Sequence, residues 1–245
     1  MLGGIINRSK DNAIRNGDFY MSEDLSRKEI HFTEDMVKPL LETKFIKVYD
    51  LQYKEGKHYY NATRKEKKDL TALQSDDEFK AGIPDAVSCY VILEFPDDEP
   101  RLLTFYEFRY PTGRYLLSIP AGLIDPADKE TDDPVLSAAR REIKEETGIL
   151  VKDTDIFYTL NPMAFSSPGM TDESNALVCA VVRLDDKSAL NHKGIEGSEK
   201  MEGFRLLSKQ EALDIIKSGR DEFGNTFSLM TWSGLMYFVS DLWKN

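Results

Sequence analysis

Hydrophobic and polar residues alternate along the first of two neighbouring stretches that lie on either side of the dipeptide E-G. The first reads F-I-K-V-Y-D-L-Q-Y and the second reads K-H-Y-Y-N-A-T-R. Alternation with a period of two is typical of strands that bury one face, and glycine between two strand-like segments marks a turn. The pattern therefore predicts a β-hairpin over residues 45–64.

Longer apolar runs after residue 85 predict a sheet with buried strands. The run A-V-S-C-Y-V-I-L-E-F is followed by the turn P-D-D-E-P, and R-L-L-T-F-Y-E-F-R-Y is expected to pair back against it. Y-L-L-S-I-P is typical of a short extended segment that ends at its proline. Further strands are expected at 155–161, 174–183 and 201–207.

The strongest helical signal covers residues 134–147. Asp132 or Asp133 can cap its first turn, and Pro134 suits the first helical position because its missing N–H is not needed there. Gly148 is placed to end the helix in a left-handed conformation. The sequence therefore predicts both where this helix begins and where it ends.

Three other segments predict helices. S-K-Q-E-A-L-D-I-I-K-S-G has a capping serine and a closing glycine, Gly219, and the apolar stretch 226–243 predicts a second C-terminal helix. The run T-E-D-M-V-K-P-L-L-E-T predicts a short helix near 33–43, which Pro39 would strain.

The order of these elements favours an α/β (α+β) fold in which helices cover a mixed sheet. Three regions follow from the pattern: an N-terminal extension over 1–44, the hairpin and a charged connection over 45–85, and the main domain with its C-terminal helices over 86–245.

Composition narrows the setting and the partners of this chain. Its 245 residues carry a formal net charge of −11, which disfavours nucleic-acid binding because phosphate backbones attract basic surfaces. No apolar stretch is long enough to cross a membrane, and the first residues lack the apolar core of a signal peptide. Cys89 and Cys179 lie in apolar runs typical of buried reduced thiols, whereas His31, His58 and His192 match no metal-binding spacing. These features favour a reducing, cytoplasmic setting.

The helix over 134–147 carries two distinct faces. Apolar residues at spacings of three and four predict a core-facing stripe of Leu136, Ala139 and Ile143. Glu142, Glu145 and Glu146 lie close together near the C-terminal end, where they repel one another and oppose the helix dipole. Divalent cations would relieve this repulsion, since Mg²⁺ prefers oxygen ligands. A solvated, glutamate-rich helix end is the alternative.

The surrounding sequence resembles the Nudix box. I-P-A-G-L-I-D precedes the helix, and R-E-I-K-E-E-T-G-I, residues 141–149, matches every fixed position of the second half of that motif. The resemblance implies a Nudix α/β/α sandwich and one to three bound Mg²⁺ or Mn²⁺ ions. It also implies a set of metal ligands and an orienting arginine. The ligands are the Ala121 carbonyl, Glu142, Glu145 and Glu146, and the arginine is Arg141.

The first half of the motif departs from the family pattern. The distance from Gly122 to Arg141 is five residues longer than in the family, so the acidic position between them is ambiguous. Counting back from Arg141 places Asp133 there, and counting forward from Gly122 places Asp128 there. Glu130 is a third candidate.

Two flanking motifs resemble those of the ADP-ribose pyrophosphatases within the family. R-Y-P-T-G-R-Y-L-L-S-I-P-A-G-L-I-D resembles their approach to the box, and this likeness implies that Arg109 reaches the substrate diphosphate. F-S-S-P-G-M-T-D-E-S resembles their proline–glycine loop, which implies a catalytic role for Glu173, as a general base. A strand end for Arg109 and a solvated loop position for Glu173 are the alternatives.

The hairpin also has a counterpart in that subfamily, where such strands cross to a partner subunit and complete its adenosine pocket. The resemblance implies a homodimer in which hairpin aromatics such as Tyr53, Tyr59 or Tyr60 stack on adenine. Strand alternation prevents all three from serving together. Arg64 falls where the family often has a second arginine that contacts phosphate.

The reaction implied is metal-dependent hydrolysis of a nucleoside diphosphate linked to another group. ADP-ribose would give AMP and ribose 5-phosphate, so the expected partner is a small nucleotide rather than a nucleic acid or a membrane. Two alternatives stay open. The first is a Nudix hydrolase of another nucleotide sugar or of a dinucleoside polyphosphate. The second is a non-catalytic module that senses a nucleotide.

Overall fold

The computed structural model describes residues 30–195 and 199–244. Most of the predicted N-terminal extension, residues 1–29, lies outside the described residues.

The first sheet described is three-stranded and antiparallel, in the order β1-β2-β3. It comprises β1 (Val37–Glu42), β2 (Lys47–Lys54) and β3 (Lys57–Thr63). The predicted hairpin is confirmed, because β2 and β3 pair across the turn at Gly56.

The predicted helix near 33–43 is wrong, since β1 occupies most of that segment after a single 3-10 turn at Glu34–Met36. Val37 is fully buried and pairs with Leu51 of β2. Pro39 is accommodated because β1 is an edge strand, and the strand register shifts between Pro39 and Leu41. Pairing with a strand that follows in the sequence therefore overrides the local helical signal.

The second sheet has seven strands and is mixed, as the sequence predicts. Its main path runs β10-β5-β4-β9-β8, with β6 paired to β5 and β7 paired to β4. The β4–β9 pair is parallel and the other pairs are antiparallel. The strands are β4 (Ala86–Glu94), β5 (Arg101–Arg109), β6 (Arg114–Ser118), β7 (Ala121–Leu123), β8 (Ile156–Phe165), β9 (Ser174–Arg183) and β10 (Met201–Leu207).

Four α-helices accompany the sheets in the described part of the chain: α1 (Asp76–Ala81), α2 (Pro134–Thr147), α3 (Lys209–Ser218) and α4 (Leu229–Val239). The predicted ends of α2 are confirmed. The side chain of Asp133 accepts a hydrogen bond from the Leu136 N–H, and Gly148 ends the helix at φ +76°.

The helices cover the two faces of the large sheet, so the α/β/α arrangement is confirmed. Ala139 and Ile143 of α2 pack on one face with Val87, Cys89 and Val91 of β4. The opposite face packs Ile92, Leu117 and Cys179 against Ile215 of α3 and Leu235 and Phe238 of α4. Cys89 and Cys179 are thus buried thiols on opposite faces of the sheet, and neither is in a disulfide. None of the helices described is long and apolar enough to cross a membrane.

Candidate functional site

A cleft of about 870 Å³ opens where β5, β7, α2, the loop before β9 and the start of α4 meet. Arg109, Ala121, Gly122, Glu142, Glu173 and Arg64 all line it. The folded chain therefore gathers side chains from the helix motif, both flanking motifs and the hairpin around one space. A space of this size accommodates a small-molecule ligand.

Glu142 enters the cleft across the backbone of Gly122. A Cβ atom added to Gly122 would lie 1.9 Å from Glu142 Oε1, so only glycine leaves room for this carboxylate. Arg141 Nη1 donates a hydrogen bond to the same oxygen at 2.7 Å. Burial raises the pKa of Glu142, and the nearby Arg141 charge only partly opposes that rise.

Glu146 lies one helical turn further along and is almost fully buried. Its Oε2 atom accepts a hydrogen bond from the Ala121 N–H at 3.1 Å. Burial and the negative charge of Glu142 raise the pKa of Glu146 well above its usual value. The paired carboxylates concentrate negative charge beside Ala121, on a helix that the core stripe fixes to the sheet.

Of the three acids that could fill the ambiguous position of the motif, Asp128 is the one that contacts Arg141. Its Nη2 atom donates to Asp128 Oδ2 at 2.9 Å, and the Asp128 side chain is only 5% exposed. Asp133 instead caps α2, and Glu130 is exposed. The longer loop forms a 3-10 turn at Asp128–Glu130 that returns Asp128 to the arginine.

Glu145 is the most exposed member of the acidic group, and it shares Arg141 Nη1 with Glu142. Its carboxylate accepts a hydrogen bond from Arg141 Nη1 at 3.2 Å and its side chain is 44% exposed. Within residues 30–195 and 199–244, no three histidine, cysteine or acidic side chains are arranged to hold a metal ion. The structure therefore does not bring Glu142, Glu145 and Glu146 together as a ligand set.

The donors present nevertheless fit a hard divalent cation. Glu142 and Glu146 offer only oxygen ligands, and both lie beside the backbone of β7 at Ala121 and Gly122. Burying two carboxylates this close is unfavourable, as the raised pKa of Glu146 indicates. A cation would stabilise both in their charged forms.

Arg109 lies at the end of β5, where it lines the cleft. Its Nη2 atom is 2.9 Å from Glu107 Oε2, two residues earlier on the same face of the strand. Glu107 is largely buried, and burial raises the pKa of its carboxyl group. The pair holds the guanidinium group at the cleft wall while its side chain stays 48% exposed.

Arg64 and Glu173 form an ion pair in the wall of the cleft. Arg64 Nε donates to Glu173 Oε2 at 2.8 Å, which joins the residue after β3 to the residue before β9. Tyr53 and Tyr60 do not line this cleft, and both side chains are exposed. Tyr59 instead donates through its hydroxyl to the Gly169 carbonyl at 2.9 Å.

Sequence reasoning missed several groups that line the cleft. Glu107 could have been found from its spacing of two from Arg109, but Glu199 and Asn175 carry no local signal. The negative charge of Glu199 contributes to the raised pKa values of Glu107, Glu142 and Glu146. Glu199 is thus an exposed carboxylate at the cleft, whereas the carboxylate of Glu173 is paired with Arg64.

The chain is similar to known proteins in both sequence and fold. A family model described as the NUDIX domain matches residues 82–227. An uncharacterised Nudix hydrolase of Schizosaccharomyces pombe is 31% identical over 162 residues, which cover 64% of this chain and 74% of that protein. An ADP-ribose pyrophosphatase of Mycobacterium tuberculosis is 36% identical over 78 residues, which cover 32% of this chain and 34% of that protein. A crystal structure of an ADP compounds hydrolase has a similar fold, with a TM-score of 0.51, 20% identity, and coverage of 84% of this chain and 90% of that chain.

Proposed function

Because the chain belongs to the Nudix hydrolase family, we propose that it hydrolyses ADP-ribose to AMP and ribose 5-phosphate. The observation that carries this proposal is the convergence of Glu142, Arg109 and Glu173 on one cleft. The choice of substrate is supported by the relative from Mycobacterium tuberculosis, which is named ADP-ribose pyrophosphatase. That match spans about a third of each protein, so the substrate is part of the proposal.

The reaction needs a divalent cation, and we propose Mg²⁺ or Mn²⁺. Glu142, Glu146 and the Ala121 carbonyl would hold it, with Glu145 joining after it leaves Arg141. When bound, such an ion neutralises diphosphate charge and stabilises the charge that develops on the leaving oxygen. Arg141 keeps its ion pair with Asp128, so the arginine remains fixed when Glu145 changes partner.

Other side chains of the cleft bind the diphosphate and activate the attacking water. Arg109 donates hydrogen bonds to the diphosphate oxygens, and Glu107 keeps its guanidinium group in place. Glu173 accepts a proton from the attacking water through its carboxylate. The water oxygen then forms a bond to phosphorus as the bond to the bridging oxygen breaks. Arg64 orients Glu173 and adds positive charge at that wall.

A homodimer is a second part of the proposal. The three-stranded sheet exposes several large apolar side chains: Leu40, Leu41, Phe45, Ile46, Tyr53 and Tyr60. Large apolar side chains that are exposed on one small sheet and its connecting turn favour a protein partner. Tyr53 and Tyr60 do not line the cleft of their own chain, so we propose that they contribute to the cleft of a second copy of this chain. Light scattering on the purified full chain tests this, and a monomer at micromolar concentration would contradict it.

A substrate panel tests the proposed activity. The full chain is incubated with Mg²⁺ or Mn²⁺ and with ADP-ribose, another nucleotide sugar or a dinucleoside polyphosphate, and products are separated by chromatography. AMP and ribose 5-phosphate from ADP-ribose, formed with the highest kcat/KM and abolished by EDTA, is the expected result. Preferred hydrolysis of another member of the panel would replace the substrate. Binding without turnover would indicate the non-catalytic alternative.

A further inference from the structure

A polar cluster lies behind the cleft wall that carries Arg64 and Glu173. The next residue after Arg64 is Lys65, and the residue before Glu173 is Asp172. Lys65 Nζ donates to the Asp172 carbonyl at 3.2 Å and lies 3.7 Å from Asp172 Oδ2. The Lys65 side chain is only 18% exposed, so this contact is shielded from solvent. Arg64 and Glu173 thus line the cleft, while their neighbours in the sequence, Lys65 and Asp172, contact each other behind it.

The same lysine is also linked, through Asp85, to the residue that follows Glu173 in the sequence. Lys65 Nζ lies 3.1 Å from Asp85 Oδ2, just before β4. That carboxylate accepts hydrogen bonds from the Ser174 N–H at 2.8 Å and the Ser174 hydroxyl at 2.9 Å. Ser174 directly follows Glu173. Both chain neighbours of Glu173 are therefore held, one by Lys65 directly and the other through Asp85.

Further contacts fix the backbone on which these side chains stand. The Thr71 N–H donates to Asp172 Oδ2 at 3.1 Å, and Lys65 Nζ donates to Thr71 Oγ1 at 2.8 Å. The Ala62 N–H donates to the Met170 carbonyl at 2.9 Å, which attaches the loop to the end of β3. Burial raises the pKa of Asp172, but hydrogen bonds and the Lys65 charge outweigh that effect and lower it overall. Asp172 is therefore a charged partner for Lys65.

We infer that Lys65 is a positioning residue for the catalytic carboxylate of this enzyme. Through Asp172 and Asp85 it fixes both neighbours of Glu173, and this keeps Glu173 beside Arg64 in the cleft. The inference rests on the proposed function only for the role of Glu173 in catalysis. A buried ammonium group serves this purpose because removing it leaves two carboxylates close together without a cation. The loop that bears Glu173 would then move away from β3.

Lys65→Met tests this inference, with Lys65→Arg as the charge-retaining variant and Lys68→Met as a control. Lys68 is an exposed lysine three residues further along the chain. The readouts are amide hydrogen exchange over residues 167–174, measured by mass spectrometry on the full chain, and kcat and KM for the best substrate. We expect Lys65→Met to speed exchange about tenfold or more in that segment and to lower kcat by about 10- to 100-fold. KM should change less than kcat, Lys65→Arg should recover part of the loss, and Lys68→Met should match the wild type.

Unchanged exchange in the folded Lys65→Met protein would overturn the inference, and so would faster exchange with unchanged kcat. If Lys65→Met does not fold, Asp172→Asn takes its place with the same expected pattern. Failure of the proposed function is recognised separately, because the wild type would then hydrolyse no member of the panel. In that case the exchange comparison alone decides whether Lys65 fixes the Glu173 segment.

Discussion

Asp128 and Arg141 form an ion pair, with 2.9 Å between Oδ2 and Nη2, across a loop that is five residues longer than the family pattern. Asp128 also accepts a hydrogen bond from the Ser137 hydroxyl at 2.9 Å and one from the Asp125 N–H at 3.1 Å. The insertion thus keeps an acid beside the arginine of the helix motif. The pair links the loop, the start of α2 and the residue that orients Glu142.

Replacing Asp128 by alanine should destabilise the fold. The change leaves Arg141 without its most buried partner and removes two further hydrogen bonds, so we expect a loss of about 2–3 kcal/mol in the free energy of unfolding. Urea unfolding followed by circular dichroism measures it. Asp133→Ala should lose only a helix cap, about 1 kcal/mol, and the exposed Glu130→Ala should stay within about 0.5 kcal/mol of the wild type. Equal effects of the three variants would contradict the assignment.

The same pair predicts a specific pH dependence of stability. Burial raises the pKa of Asp128, but hydrogen bonds from Arg141, Asp125 and Ser137 outweigh it, so the pKa in the folded protein is lowered. A depressed pKa means that the unfolded chain binds the proton first. The stabilisation is therefore present above the unfolded pKa of about 4 and is lost as pH falls through the lower folded value.

The measurement compares urea unfolding of the wild type and Asp128→Asn at several pH values. The stability difference between them should be largest near neutral pH and should shrink as pH falls from about 5 to about 3. A difference that stays constant over this range would show that the charge of Asp128 does not contribute to stability.

Gly122→Ala should separate activity from stability. The new Cβ atom would lie 1.9 Å from Glu142 Oε1, and this contact is with the end of a side chain that can rotate away. We therefore expect a folded protein, with a melting temperature within a few degrees of the wild type, that loses activity by about 100-fold because the carboxylate is displaced. Gly169→Ala is the control, since its Cβ would meet nothing closer than Tyr59 Oη at 3.7 Å. Full activity in Gly122→Ala would refute the role of this contact.

Two carboxylates face the cleft as candidates for the general base, and their variants distinguish them. Glu173→Gln should lower kcat by about 10²- to 10⁴-fold with little change in KM, as expected for loss of proton transfer. Glu199→Gln should have a smaller effect, because the proposal gives Glu199 no proton to accept. The opposite ranking would transfer the role of base from Glu173 to Glu199.

Local signals explain which parts of this molecule the sequence predicts well. The ends of α2 depend on Asp133, Pro134 and Gly148, which act within one helical turn, and the structure confirms them. The strand β1 depends on pairing with β2 and on the burial of Val37, so its local pattern is misleading. Interactions between distant parts of the chain decide such segments.

In the site, too, some positions follow from local sequence spacing and others depend on contacts between distant parts of the chain. The spacing of Glu142 and Glu146 on α2 places both carboxylates beside Ala121, because a helix has a fixed period. Sequence counting leaves Asp128, Glu130 and Asp133 equivalent, and only the folded loop distinguishes them. Glu199 enters the cleft through tertiary packing and carries no motif of its own. The turn of Glu145 toward Arg141 likewise depends on the orientation of side chains.

We propose that Glu142 and Glu146 of α2 support metal-dependent hydrolysis of ADP-ribose. The most direct test follows AMP release from ADP-ribose with Mg²⁺ or Mn²⁺ by the wild type, Glu146→Gln and the exposed control Glu130→Gln. Glutamine keeps the shape of Glu146 and can still accept the hydrogen bond from the Ala121 N–H. We expect AMP from the wild type and the control, and a kcat lowered by about 100-fold or more in folded Glu146→Gln. No AMP from the wild type, or undiminished AMP from Glu146→Gln, would contradict it.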